Sequence, residues 1–202
     1  MNTMSSAHAS NPVDTSGSRV LVITGSPSQR SRTAMVGSYV GNCLQQKGFA
    51  VEELRARDLP AEALLRADFE DAELRKAFAA VEAADGVVLC TPTYKAAYSG
   101  LLKSFLDMLP QFGFAGKAIL PLATGGSTAH VLALDYALRP VVHSMGARHV
   151  VQSHFLLDRD VMQDDDGTVS IAEQGLPMLN AAISAFELAL GAVSVEAVAA
   201  RF

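Results

Sequence analysis

Residues 86–109 read GVVLCTPTYKAAYSGLLKSFLDML, and this stretch decides the fold. It opens on the short continuous apolar run GVVLCT, the pattern of a strand buried on both faces, as parallel sheets require. It closes on SGLLKSFLDML, where Leu101, Leu102, Phe105, Leu106 and Leu109 recur at helical spacing. Between them TPTYKAAYSG reads as a loop. In an open α/β sheet, ligands sit in the crevice outside the carboxyl ends of the strands, so this strand–loop–helix unit is where chemistry is expected.

Working outward, RVLVIT (19–24) is a first buried strand that runs into Gly25-Ser26-Pro27, and a helix follows from about Thr33 to Lys47, stopped by Gly48. FAVEEL (49–54) alternates like an edge strand, AEALLRA is a short helical stretch, and 70–83 is an amphipathic helix. GKAILPLAT (116–124) is another apolar strand, followed by Gly125-Gly126 and a helix expected over 129–145, with Ser127 and Thr128 placed to cap it. HVVQSHFLL (149–157) reads as the fifth strand, and the last helix is expected over 175–191. Five apolar strands alternating with helices give a doubly wound five-stranded parallel sheet of flavodoxin-like type, order 2-1-3-4-5. Right-handed crossovers then bring GSPSQRSRT, TPTYKAAYSG and ATGGSTAH to one rim.

Totals narrow the class. At 202 residues the chain suits one domain, expected over 19–202, behind a flexible tail over 1–18. A formal net charge of −5 argues against a nucleic-acid binder. Cys43 and Cys90 have no CxxC partner and read as buried thiols in a reducing cytoplasm. The first residues lack a secretory pattern, and no apolar run looks long enough to span a membrane.

Each rim loop has a distinct chemistry. GSPSQRSRT leads from a strand into a helix start, an anion site with unpaired amides and a favourable dipole. Ser26, Ser31 and Thr33 add hydroxyls, and Arg30 or Arg32 adds a guanidinium. Neither GxGxxG nor GxxxxGK[ST] is present, which leaves a pocket for one phosphate monoester or an ordinary capped helix start. In the second loop, Pro92 rigidifies the turn, Tyr94 offers an aromatic face, Lys95 a cation and Ser99 a cap. In the third, Thr124-Gly125-Gly126 allows backbone to approach a flat ring. Ser127, His130 and Asp135 cannot converge as a triad from one short helix. Asp164, Asp166, Gly167 and Glu173 mimic an EF-hand loop, but its first ligand position falls on Met162. A hairpin turning at Asp166-Gly167 is the better reading, and no metal site is expected.

At these residues the chain resembles the NADPH-dependent FMN reductases of the flavodoxin-like superfamily, and within them those of alkanesulfonate utilisation. The resemblance rests on GSP followed by SRT (25–33), RADFEDAEL (66–74), TPTYKAAYSGLLKSFLD (91–107) and LPLATGGSTAHVLALDYALRPV (120–141). It implies FMN and NADPH as cofactors. Ser26, Ser31, Arg32 and Thr33 would hold the FMN phosphate; Pro92, Thr93, Tyr94 and Lys95 would line the ribityl chain and ring; Thr124, Gly125 and Gly126 would meet the isoalloxazine. It also implies a π-helical bulge at Tyr136 on a subunit interface, a homodimer or homotetramer, and an FMN-dependent monooxygenase that receives reduced FMN. No side chain need act as an acid or base, since the flavin carries the chemistry. Two alternatives share the fold: a flavin-retaining NAD(P)H quinone or azo reductase, and a flavodoxin-type electron carrier. The absence of Trp weighs against the carrier.

Overall fold

The computed structural model describes residues 17–199; the tail expected over 1–18 falls, up to residue 16, outside them. In chain order the elements are β1 (Arg19–Thr24), α1 (Arg32–Gln46), β2 (Ala50–Arg55), α2 (Ala61–Arg66), α3 (Ala72–Ala83), β3 (Gly86–Tyr94) and β4 (Ala97–Tyr98). They continue as α4 (Gly100–Leu106), β5 (Ala118–Gly125), a π-helical turn (Leu134–Leu138), α5 (Arg139–Ser144), β6 (His149–Val150) and β7 (His154–Leu157). The hairpin strands β8 (Val161–Gln163) and β9 (Val169–Ile171) precede α6 (Leu176–Ala199).

The long strands run parallel in the order β2-β1-β3-β5, with β6 and β7 both on the far side of β5. Counting β6 and β7 as one interrupted strand, this is the expected doubly wound order. Strand periodicity divides the core between two faces. Leu21, Ile23, Val87, Leu89 and Ile119 pack with Leu74, Val81, Leu102 and Phe105 of α3 and α4. Val20, Val22, Val88, Leu120 and Leu122 pack with Val36, Val40 and Leu44 of α1 and with Ile183, Phe186 and Leu190 of α6. Cys90 is buried on the second face, and burial pushes its thiol far above the ordinary range, so it is an inert core residue.

Several expectations are corrected. TPTYKAAYSG is not an open loop: β3 runs on through Tyr94, and Lys95-Ala96 turn the chain back into β4. Pro92 lies inside β3, opposite Thr124; β1 pairs with β3 only as far as Thr24–Cys90, so β3 is an edge on that side, where proline is tolerated. The fifth strand is broken at 151–153. The helix expected over 129–145 is a 3₁₀ turn (Thr128–His130), the π-helical turn and the short α5. The two interruptions are joined: Arg139 donates to Asp135 Oδ1 at 3.1 Å and to the carbonyls of Val150 and Val151 at 3.2 and 2.9 Å. Ser153 donates to the same Asp135 oxygen at 2.7 Å. The amide of Arg139 bonds the Leu134 carbonyl, five residues back, and Pro140 next to it has no amide to restore α register.

The last helix passes Gly191 and runs to Ala199. Over Leu176–Ser194 it is long and apolar enough to cross a membrane by length and composition, contrary to expectation. Its Leu179, Ile183, Phe186 and Leu190 are nevertheless core residues against the sheet. The hairpin over 161–171 forms as expected, with Gly167 at φ +87° and its amide on the Asp164 carbonyl at 2.9 Å. At the opposite end of the sheet, Lys117 closes α3 by donating to the carbonyls of Glu82 and Ala84 at 2.9 and 2.6 Å. Burial lowers its pKa, against the pull of Asp85 and Glu82.

Candidate functional site

The three rim segments meet. An open cavity of about 450 Å³ lies over the carboxyl ends of β1, β3 and β5, within the size range of small-ligand sites. Every residue expected to hold the flavin lines it, apart from Lys95: Ser26, Ser31, Arg32 and Thr33 from the first segment, Pro92, Thr93 and Tyr94 from the second, and Thr124, Gly125 and Gly126 from the third. Ser28, Arg30, Met35, Asp158 and Gln163 complete the lining.

The first segment is shaped by side-chain caps. Ser31 is the N-cap of α1, accepting from the amide of Ala34 at 3.0 Å. Ser26 accepts from the amide of Ser28 at 3.3 Å. Both hydroxyls therefore keep their own protons for donation. Arg57, in the 3₁₀ turn after β2, donates to the Ser28 carbonyl at 2.6 Å and so fixes the loop from outside the cavity. The buried hydroxyls of Thr33 and Thr124 lie 2.7 Å apart, joining α1 to the end of β5.

The second segment is anchored through Ser99. Its amide donates to Thr91 Oγ1 at 2.9 Å, its hydroxyl donates to the Gly25 carbonyl at 2.6 Å, and the same oxygen caps α4 by accepting from Leu102 at 3.0 Å. Gly25 permits this closeness, because a Cβ there would sit 2.6 Å from Cβ of Leu102. Thr93 Oγ1 is buried with no hydrogen-bond partner among the described residues, an orphaned polar atom on the cavity wall. Tyr94 is 48% exposed beside it.

Gly125 and Gly126 differ in kind. A Cβ on Gly125 would meet the Phe155 ring at 2.9 Å, so that glycine answers to β7 behind it. A Cβ on Gly126 would meet nothing within 4 Å among the described residues. Its bare backbone borders the cavity.

Two of the cavity's residues come from the segment 158–171, which reads in sequence as an acidic hairpin with no assigned part in the rim. Arg32 donates to the Asp158 carbonyl at 2.8 Å, and Gln163 of β8 completes that side. Only the packing of the hairpin on α1 brings them here, and no sequence pattern signals it. Arg30, weighed against Arg32, also lines the cavity and makes no hydrogen bond or ion pair among the described residues. Among the described residues the lining contains no histidine, cysteine or lysine, and Asp158 is its one carboxylic acid. Such a wall can bind and orient, but it holds no acid–base pair to run a reaction by itself. Tyr136 lies in the π-helical turn, away from the cavity lining and 79% exposed. Among the described residues no group of three or more His, Cys, Asp or Glu side chains could hold a metal ion.

Comparison with known proteins gives this site its context. The family model for NADPH-dependent FMN reductases matches residues 18–161. An FMN reductase (NADPH) from Pseudomonas putida is 42% identical over 158 residues, covering 78% of this chain and 76% of that protein. The FMN reductase (NADPH) of Escherichia coli K12 is 40% identical over 144 residues, covering 71% and 75%. Among solved structures, the apo form of the NADH:FMN oxidoreductase EMOB is 48% identical and superposes with a TM-score of 0.77, covering 85% of this chain and 89% of that one. On this evidence the chain belongs to the NADPH-dependent FMN reductase family.

Proposed function

We propose that the cavity at the rim is the FMN site, and that the chain uses it to reduce FMN with NADPH. The observation that carries this reading is the convergence of three segments on one cavity. One supplies an anion-binding helix start, and the others supply Tyr94 and the bare backbone of Gly126.

The donor set fits the group. Ser26, Ser31 and one member of the Thr33–Thr124 pair each keep a hydroxyl proton to give to a phosphate, and the first amides of α1 and Arg30 or Arg32 add charge complementarity. Thr93 Oγ1, buried and unpartnered among the described residues, suits a polar group of the ribityl chain or ring. Bound FMN supplies the chemistry, by accepting a hydride from the reduced nicotinamide. The protein's part is to fix one reactant against the other and limit solvent, a proximity effect. The lack of an acid–base pair in the lining agrees with that division of work.

In this reading reduced FMN leaves for an FMN-dependent monooxygenase of the alkanesulfonate type, within the cytoplasm. The protein works as a homodimer or homotetramer in which the exposed Tyr136 and its π-helical turn meet another subunit. These finer assignments rest on the family resemblance. A steady-state assay of NADPH oxidation with added FMN tests the central claim, and purified protein that oxidises no NADPH would refute it. Sedimentation of wild type beside Tyr136→Ala tests the subunit contact.

A further inference from the structure

Two consecutive non-glycine residues, Lys95 and Ala96, have φ of +51° and +63°. They are the centre of a two-residue hairpin turn, closed by Tyr94 opposite Ala97 and Thr93 opposite Tyr98. Positive φ at both central positions is the type I′ geometry, which favours Asn-Gly or Asp-Gly because an L side chain in the left-handed region meets its own backbone. Neither favoured residue is present. Such strain persists only where the surroundings over-determine it, and here they do. The chain leaving the turn is fixed at Ser99, through the Ser99 amide on Thr91 and the Ser99 hydroxyl on the Gly25 carbonyl, at 2.9 and 2.6 Å.

The lysine held at this turn has no local employment. It is exposed and makes no hydrogen bond or ion pair among the described residues. Its neighbour Tyr94 lines the cavity, whereas Lys95 stands just outside the lining. The cavity's own cations, Arg30 and Arg32, flank the start of α1, and Arg32 already serves the Asp158 carbonyl. Lys95 is thus a cation next in sequence to Tyr94, beside which the ring is placed in the reading above. A hydride donor has to arrive beside the ring and brings phosphate groups with it, towards a chain of net charge −5.

We propose that Lys95 binds a phosphate of the incoming nicotinamide dinucleotide, and that the strained turn serves to hold its ammonium at the cavity's mouth. This rests on the FMN reductase reading and deepens it. Phosphate is common to both donors, as the pyrophosphate of NADH and NADPH and the additional 2′-phosphate of NADPH.

The test uses the full chain loaded with FMN, and titrates NAD⁺ and NADP⁺ by calorimetry against wild type, Lys95→Met, Lys95→Arg and the double variant Lys95→Asn with Ala96→Gly. Lys95→Met is expected to weaken dinucleotide binding about tenfold and flatten its salt dependence, with Lys95→Arg restoring most of the loss. FMN affinity stays within about twofold of wild type, since the lysine is outside the lining. The double variant melts at a higher temperature, its turn strain relieved, yet loses dinucleotide affinity like Lys95→Met. Equal weakening of both dinucleotides assigns the pyrophosphate, and weakening of NADP⁺ alone assigns the 2′-phosphate. Unchanged affinity for both in Lys95→Met, or a loss of FMN binding instead, overturns the proposal while leaving FMN reduction intact. A wild type that binds neither FMN nor dinucleotide overturns the underlying reading and this one with it.

Discussion

Thr33 and Thr124 lie 91 residues apart in sequence and share a buried hydrogen bond, Oγ1 to Oγ1 at 2.7 Å. It ties the start of α1 to the end of β5, the two walls between which the flavin is proposed to lie. Thr33→Val or Thr124→Val alone leaves a buried hydroxyl unpaired and should cost about 1–3 kcal/mol of stability in urea unfolding. The double substitution removes both polar groups and should cost less than the sum of the singles. FMN affinity, followed by flavin fluorescence, should fall in all three. Strictly additive stabilities would show that the bond contributes nothing.

The adjacent glycines separate packing from binding. Gly125→Ala drives a methyl group to within 2.9 Å of the Phe155 ring and should destabilise the fold by about 1–3 kcal/mol. Gly126→Ala meets no atom within 4 Å, so its melting temperature should match wild type while FMN binding weakens. Melting curves and flavin titrations on the two variants distinguish the roles; a reversal of the pattern would contradict this assignment.

Arg30 and Arg32 should also diverge. Arg32→Met removes the bond to the Asp158 carbonyl, and amide exchange should then quicken across 158–171, besides any loss of FMN affinity. Arg30→Met breaks no hydrogen bond or ion pair among the described residues, so exchange should stay unchanged there while the salt dependence of FMN binding falls. Hydrogen-exchange mass spectrometry on both variants is the check.

His154 supplies a pH dependence. Its Nε2 is buried without a partner among the described residues, and burial lowers its pKa from the ordinary 6.5. The unfolded chain therefore takes up this proton first as pH falls. Stability should decline as pH drops below about 6.5 towards the folded-state value, and level off beneath it. In His154→Gln that part of the pH dependence disappears. Urea titrations between pH 5 and pH 7.5 that give parallel curves for the two proteins would exclude His154 as the source.

The rim segments were legible because each carries a local chemical signature. Ser31 reads as a cap from its place before an amphipathic helix, and it is one. The continuous apolar runs of β1, β3 and β5 read as doubly buried strands for the same reason, since burial on two faces leaves no polar positions to alternate. What failed to read had its cause far along the chain. TPTYKAAYSG has the composition of a loop, and its pairing as β3 and β4 is enforced by Ser99 reaching Gly25, 74 residues away. The interruption in HVVQSHFLL is unmarked locally; it exists because Arg139, turned by the π-helical register, takes the carbonyls of Val150 and Val151.

The sequence by itself determined the doubly wound order and the residues that would gather at its rim, because hydrophobic period and turn chemistry act over a few residues. Tertiary structure alone decided which of those residues face one another. It set Gly125 against Phe155 and Gly126 against open space, drew Asp158 and Gln163 into the cavity wall, and left Lys95 outside it on a strained turn. Such juxtapositions depend on how separate elements pack, and packing distances are written in no short stretch of chain.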